Sequence, residues 1–130
     1  MRIFLLLIAT SLFFFSAAYI LTPEQMAEAT GISHTKSGLT DFRATYGGLQ
    51  LGLAVFLVWS AFAKVRFKSA FFALGVLMAC LAVLRVYGMM VDGSPDQFHY
   101  IGLAYEIPIA LISTWFYFKS SRLQRITADA

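Results

Sequence analysis

The sequence predicts an all-α integral membrane protein, an antiparallel bundle of four transmembrane helices with a short interfacial helix on the outer side. Hydrophobic residues make up 59% of the 130 residues and charged residues 13%, against about 45–50% and about 25% in soluble domains. The mean hydropathy is +0.73. The apolar residues fall into four runs, each close to the roughly 20 residues that a helix needs to cross a bilayer.

The four runs set the expected helix boundaries. The first two carry no charge, the third contains Arg85 and the fourth contains Glu106. Short polar joints between the runs favour antiparallel neighbours, so we expect a single integral membrane domain over residues 1–130. The predicted transmembrane helices cover residues 3–21, 42–63, 69–91 and 100–118.

The first run has a second interpretation, a secretory signal. Arg2 precedes the apolar run, and Ser16-Ala17-Ala18 resembles a small-residue cleavage site. However, the apolar run continues past this site to Leu21, which makes it longer than a typical signal core. We therefore favour a retained first helix.

The joint after the first run contains a helix-start signal. Thr22 is a suitable N-cap, Pro23 a suitable first helical residue and Glu24 an acid for the first turn. Gly31 is a stop signal. This pattern predicts the interfacial helix over residues 23–30, and the following segment, residues 34–38, is expected to be loop.

The basic residues predict the orientation. With four crossings, seven of the ten cations fall on one side, which the positive-inside rule assigns to the cytoplasm. Both termini are then expected to be cytoplasmic. Cations spread over apolar sequence form no nucleic-acid groove, so the expected partner is the lipid bilayer. The seven are Arg2, Lys64, Arg66, Lys68, Lys119, Arg122 and Arg125.

Two charged residues lie inside the predicted helices. Arg85 and Glu106 each lie six residues from the outer end of their helix, at a depth of roughly 9 Å. Their opposite charges and matched depths predict a buried ion pair. Such a pair has three interpretations: a link that fixes helix packing, part of a ligand pocket, or a proton-coupled or catalytic site.

Further polar residues and glycines occur near the outer ends of the helices. Along the second helix, Arg43, Tyr46 and Gln50 follow an i, i+3, i+7 spacing and are expected to share one face. The glycines of this helix, Gly47, Gly48 and Gly52, are expected to serve close helix packing. The inner half of each helix is apolar, which argues against a channel. The pattern predicts an outward-facing polar pocket lined by Asp41, Arg43, Tyr46, Gln50, Arg85, Tyr105 and Glu106.

Two functional classes stay open from the sequence. The first is a binder of a small polar or amphipathic, lipid-like ligand in this pocket. The second is a structural or accessory subunit of a larger membrane complex or a homo-oligomer, in which the polar residues only lock helix packing. An enzyme is the least favoured class because the common catalytic and phosphate-binding motifs are lacking. Neither a cofactor nor a metal site is expected, since Cys80, His34 and His99 lack companions at ligand spacing.

The segment over residues 41–52, Asp-Phe-Arg-Ala-Thr-Tyr-Gly-Gly-Leu-Gln-Leu-Gly, carries a family resemblance. It resembles the pattern Asp-x-Arg-x-x-Tyr-Gly-Gly of a bacterial family of small membrane proteins, domain of unknown function 4345. Arg85 and Glu106 extend the similarity over nearly the whole chain. The resemblance implies a four-helix inner-membrane protein and no particular activity.

Overall fold

The computed structural model describes residues 1–93 and 96–128, the side chains of residues 123–128 excepted. This part of the chain contains helices and no strand. The elements are α1 (Arg2–Leu21), α2 (Pro23–Ala29), α3 (Lys36–Phe42), a π-helical turn (Arg43–Gly48), α4 (Leu49–Ala61), a 3₁₀ turn (Lys64–Arg66), α5 (Phe67–Asp92) and α6 (Gln97–Ala128).

Four helical stretches are long and apolar enough to cross a membrane: Arg2–Leu21, Lys36–Ala61, Lys64–Asp92 and Gln97–Arg122. The second is continuous through α3, the π-helical turn and α4, and the third begins in the 3₁₀ turn. The all-α class with four such helices, predicted from the apolar runs, is thereby confirmed. The chain contains two compact units, Met1–Lys64 and Val65–Ala130, and the single integral membrane domain stays a prediction.

The first unit is built on an antiparallel pair formed by α1 and α4. At one end, the Arg2 guanidinium lies 4.6 Å from the centre of the Phe62 ring. Between the ends, Leu5 and Leu57 are completely buried. At the other end, the last turn of α1 contacts the π-helical turn that precedes α4.

The predicted interfacial helix corresponds to α2, which ends in a Schellman motif. Gly31 has a φ of +71°, its amide donates to Glu28 O at 3.0 Å, and the Ile32 amide donates to Ala27 O at 2.9 Å. This geometry requires a residue that tolerates left-handed backbone, which explains the glycine. Thr22 is the N-cap residue, as predicted, but its hydroxyl makes no capping hydrogen bond to α2 and instead donates to Ala18 O in α1 at 2.9 Å.

Two boundaries differ from those expected. The predicted loop over residues 34–38 gives way to α3 at Lys36, because the Thr35 hydroxyl accepts the Gly38 amide hydrogen at 3.1 Å and caps the new helix. The last helix continues beyond residue 118 to Ala128. Lysine, arginine, leucine and glutamine favour helix whether or not they lie in a membrane, so the loss of hydropathy does not end α6.

The second unit is an antiparallel pair formed by α5 and α6. Phe71 and Phe116 pack with ring centres 5.0 Å apart. Gly75 allows a close approach of the two helices, since a Cβ there would lie 3.3 Å from Thr114 Oγ1 and 3.5 Å from Ser113 Cβ. Pro108 lies within α6, and the helix continues on both sides of it.

Candidate functional site

The strongest polar feature of the second unit is the contact between Arg85 of α5 and Glu106 of α6. Arg85 Nη2 lies 2.5 Å from Glu106 Oε1, and Arg85 Nε lies 3.1 Å from Oε2. Both carboxylate oxygens therefore accept hydrogen bonds from the guanidinium, the bidentate arrangement that makes such pairs strong. The predicted ion pair is confirmed.

Gly102 makes room for this pair. A Cβ at Gly102 would lie 2.7 Å from both Nε and Cζ of Arg85. The guanidinium thus occupies the space that a side chain at position 102 would fill, one helical turn before Glu106. Sequence analysis missed this role, because a lone glycine in an apolar helix indicates nothing specific.

His99 and Asp96 extend the cluster toward the start of α6. Arg85 Nη1 lies 3.4 Å from His99 Nδ1. Since arginine can only donate, this contact is a hydrogen bond in the tautomer of His99 whose Nδ1 is the acceptor. His99 Nε2 lies 3.7 Å from Asp96 Oδ2, and the His99 amide donates to Asp96 Oδ1 at 3.1 Å. His99 and Glu106 are seven residues apart and so share one face of the helix, which is the sequence pattern that could have indicated His99 as a member of this group.

These four side chains, hereafter the Arg85 cluster, become more exposed along the series. The exposed fraction is 5% for Glu106, 22% for Arg85, 25% for His99 and 63% for Asp96. The cluster is therefore a graded polar series from a buried carboxylate to an exposed one. Such an arrangement suits the binding of a polar or anionic group, or the movement of a proton between titratable groups.

The remaining predicted site residue of this unit is Tyr105, half-buried and adjacent to Glu106 in α6. The other four predicted residues lie in the first unit, in α3, the π-helical turn and α4. Each unit thus holds part of the predicted pocket lining, and the convergence of all seven predicted site residues on one pocket stays a prediction.

Among the described side chains, no three His, Cys, Asp or Glu residues are grouped to hold a metal.

In the first unit, Arg43 and Tyr46 both contact α1. Arg43 Nε donates to Ile20 O at 3.1 Å, which satisfies a carbonyl in the last turn of α1, where helices leave carbonyls unpaired. The Tyr46 ring stacks on Tyr19 with centres 5.5 Å apart and lies 4.6 Å from Phe42. Asp41 is exposed in α3.

Within the first unit, Gly47 of the π-helical turn packs against α1. Gly47 is buried, a Cβ there would lie 2.8 Å from Ile20 Cγ1, and its carbonyl accepts from the Ser16 hydroxyl at 2.8 Å. At Gly48 and Gly52 a Cβ would meet nothing within 4 Å in the described structure. The packing roles expected for Gly48 and Gly52 stay a prediction.

The same turn alters the predicted polar face. The i, i+3, i+7 relation of Arg43, Tyr46 and Gln50 holds for 3.6 residues per turn, and the π-helical turn interrupts it. Gln50 is half-buried, and its Oε1 is a buried acceptor with no hydrogen-bond partner in the described chain. Buried acceptors of this kind are uncommon in folded proteins, so Gln50 stays a candidate binding residue.

Comparison with known proteins identifies the family of the chain. No curated protein and no solved structure matches the chain. A family model, described as domain of unknown function (DUF4345), matches residues 1–117. The match covers all four helical stretches except the end of α6, and it includes the Arg85 cluster and the π-helical turn. The chain therefore belongs to the DUF4345 family.

Proposed function

We propose that the protein is a multi-pass protein of the bacterial cytoplasmic membrane, with both termini in the cytoplasm, that binds a small polar or lipid-like ligand at the Arg85 cluster. The observation that carries the proposal is the position of Arg85 and Glu106 in two apolar helices that are long enough to span a bilayer. Charged groups at such positions are costly and are functional candidates for that reason.

The graded exposure of the cluster supports a ligand site. Glu106 is almost fully buried and holds one edge of the guanidinium, whereas Arg85 and His99 keep a quarter or less of their side chains exposed. A carboxylate or phosphate group that enters from the Asp96 end passes Asp96 and His99 before it reaches the guanidinium of Arg85. Arginine is well suited to such groups because of its planar set of donors. Asp41, Arg43, Tyr46 and Gln50 remain candidate residues of the first unit.

The proposal is tested by what the protein retains when it is extracted in native lipid nanodiscs. Small molecules bound to the wild type are compared by mass spectrometry with those bound to Arg85→Met/Glu106→Gln, which removes both charges and leaves no uncompensated partner. Lys36→Gln, an exposed cation of the first unit, is the control. We expect a species that the wild type and Lys36→Gln retain and the double variant loses. Identical profiles for all three contradict ligand binding at this cluster.

A second candidate function is an accessory subunit of a larger membrane complex or homo-oligomer. Its supporting observation is that Glu106 uses both carboxylate oxygens on Arg85, so the pair is complete as a link between α5 and α6. This alternative predicts that cross-linking in native membranes traps a defined larger assembly. It also predicts that the double variant assembles normally and that no small molecule distinguishes it from the wild type.

A further inference from the structure

The end of the second unit opposite the Arg85 cluster carries a cavity beside a cationic helix face. The cavity has a volume of about 370 Å³, and the residues that line it are Trp115, Phe118, Lys119 and Arg122. These residues follow an i, i+3, i+4, i+7 spacing and so share one face of α6. Two aromatic rings and two cations thus occupy neighbouring turns.

A second, apolar groove adjoins this cavity. It has a volume of about 190 Å³ and lies between α5 and α6, and its lining residues are Phe71, Phe72, Gly75, Val76, Thr114, Tyr117 and Phe118. Phe118 lines both spaces, so the groove and the cationic cavity lie next to each other at this residue. Gly75 helps to form it, since it presents no side chain to Thr114.

The sequence places no Asp or Glu within residues 65–91 or 107–128, the described segments that form this end of the second unit and its approach. The lysines of this end lie over aromatic rings: Lys119 Nζ lies 5.0 Å from the Trp115 ring centre, and Lys68 Nζ lies 5.9 Å from that of Tyr117. Aromatic faces hold ammonium groups in place but do not neutralise them. Among the described residues, this end is therefore cationic and contains no acidic side chain.

We propose that this end of the second unit binds an anionic phospholipid. The phosphate lies between Lys119 and Arg122, and an acyl chain follows the apolar groove past Phe118. The order of these features along the unit matches a phospholipid. The cations and a tryptophan lie at the level expected for headgroups, and the apolar groove then extends along the apolar part of the helices. A free phosphate would use only the first part. Basic residues near the cytoplasmic surface attract anionic lipids.

The inference rests on the proposed membrane location, and it is independent of any ligand at the Arg85 cluster. Trp115 reports on the site directly, because the chain has two tryptophans and Trp59→Phe leaves Trp115 alone. The protein is reconstituted into phosphatidylcholine vesicles that contain increasing fractions of brominated phosphatidylglycerol, and quenching of Trp115 fluorescence is measured. In a parallel titration, brominated phosphatidylcholine is used to measure quenching by a zwitterionic lipid.

We expect half-maximal quenching at a lower fraction of the anionic lipid than of the zwitterionic one. Lys119→Gln/Arg122→Gln should raise the required fraction about tenfold, given two lost basic contacts. The charge-matched control is Arg2→Gln/Lys64→Gln, in which both altered residues are exposed and lie in the first unit. It should leave the curve unchanged. Val76→Phe, which places a ring in the groove, should weaken quenching while it keeps both cations.

Several outcomes overturn the proposal. Equal quenching by the two brominated lipids means that the face has no headgroup preference. An equal shift in the charge-matched control means that only general electrostatic attraction acts. Reversal of quenching by inorganic phosphate assigns the cavity to the free anion. Absence of quenching by either lipid contradicts the membrane location as well, and thereby separates failure of the proposed function from failure of this site.

Discussion

Arg85 of α5 and Glu106 of α6 lie opposite each other in the antiparallel second unit and form a bidentate ion pair. The residues are 21 positions apart in the chain, and the antiparallel course of α5 and α6 brings them to the same level. The carboxylate is almost fully buried and the guanidinium mostly so. Each charge is therefore the main compensation of the other, and removing one affects the environment of the survivor.

The first prediction concerns the energetics of this pair. Arg85→Met and Glu106→Gln should each lower the melting temperature in detergent more than the double variant does. The reason is that a single change leaves an uncompensated buried charge, which typically costs about 3–5 kcal/mol. The loss in Arg85→Met should be smaller at acidic than at neutral pH, because a proton can then neutralise the remaining carboxylate.

Lys36→Gln is the control for the two single variants and the double variant. It removes an exposed cation of the first unit and should change the melting temperature little. If the effects of the two single changes add at neutral pH, Arg85 and Glu106 are energetically independent. The ion pair would then have no role in fixing the α5–α6 packing.

The second prediction concerns Gly102. Gly102→Ala places a methyl group 2.7 Å from Nε and Cζ of Arg85, so the guanidinium must move away from Glu106. We expect a loss of about 1–3 kcal/mol in the free energy of unfolding. In an Arg85→Met background the same change should cost less, because no guanidinium is displaced.

Gly52→Ala is a matched control, since a Cβ at Gly52 meets nothing within 4 Å. Alanine should there stabilise α4 by about 0.5–1 kcal/mol through its higher helix propensity. Equal effects of the two glycine changes, measured as shifts in detergent melting temperature, would show that Gly102 makes no special room for the arginine.

Counting residues along the chain was sufficient to predict the ion pair. Arg85 and Glu106 stand at equal distances from the ends of two consecutive apolar runs, and a short connection makes those runs antiparallel. Helical rise then converts equal counts into equal depths. His99 shares this face, but sequence does not show which way an arginine side chain extends, so its contact with His99 Nδ1 emerged only in three dimensions.

The π-helical turn is a feature of the first unit that the sequence does not indicate. Patterns of small and polar residues predict faces only if the helical period is known, and nothing in Arg43–Gly48 indicates a π-helical period in advance. From the sequence, the close contact of Gly47 with Ile20 could not be distinguished from packing by Gly48 or Gly52. The early start of α3 was missed for a different reason, because Thr35 is one of several polar residues there that are suitable as N-caps.

The third prediction tests the link between α1 and this turn. Ser16→Ala removes the hydroxyl that donates to Gly47 O at a fully buried position. We expect a loss of about 1 kcal/mol in the free energy of unfolding. Ser11→Ala is the control, since the Ser11 hydroxyl bonds to Ile8 O within α1 and its site is only half-buried. A control variant as destabilised as Ser16→Ala would assign the effect to α1 itself.

The last prediction concerns orientation in the membrane. If all four helical stretches cross the membrane, seven of the ten cations fall on the side of residue 2, the 64–68 joint and the end of the last stretch, so this side should be cytoplasmic. Cys80 is the only cysteine, and Cys80→Ser gives a background for single cysteines at exposed positions. In intact cells, a membrane-impermeant maleimide should label Ser33→Cys and Gln97→Cys and spare Lys64→Cys. All three should react after permeabilisation, which controls for intrinsic reactivity.

Labelling of Lys64→Cys in intact cells would contradict this topology. Positions 33 and 64 flank a single helical stretch that is long enough to span the membrane, so such labelling would mean that the orientation is reversed or that this stretch does not cross the membrane.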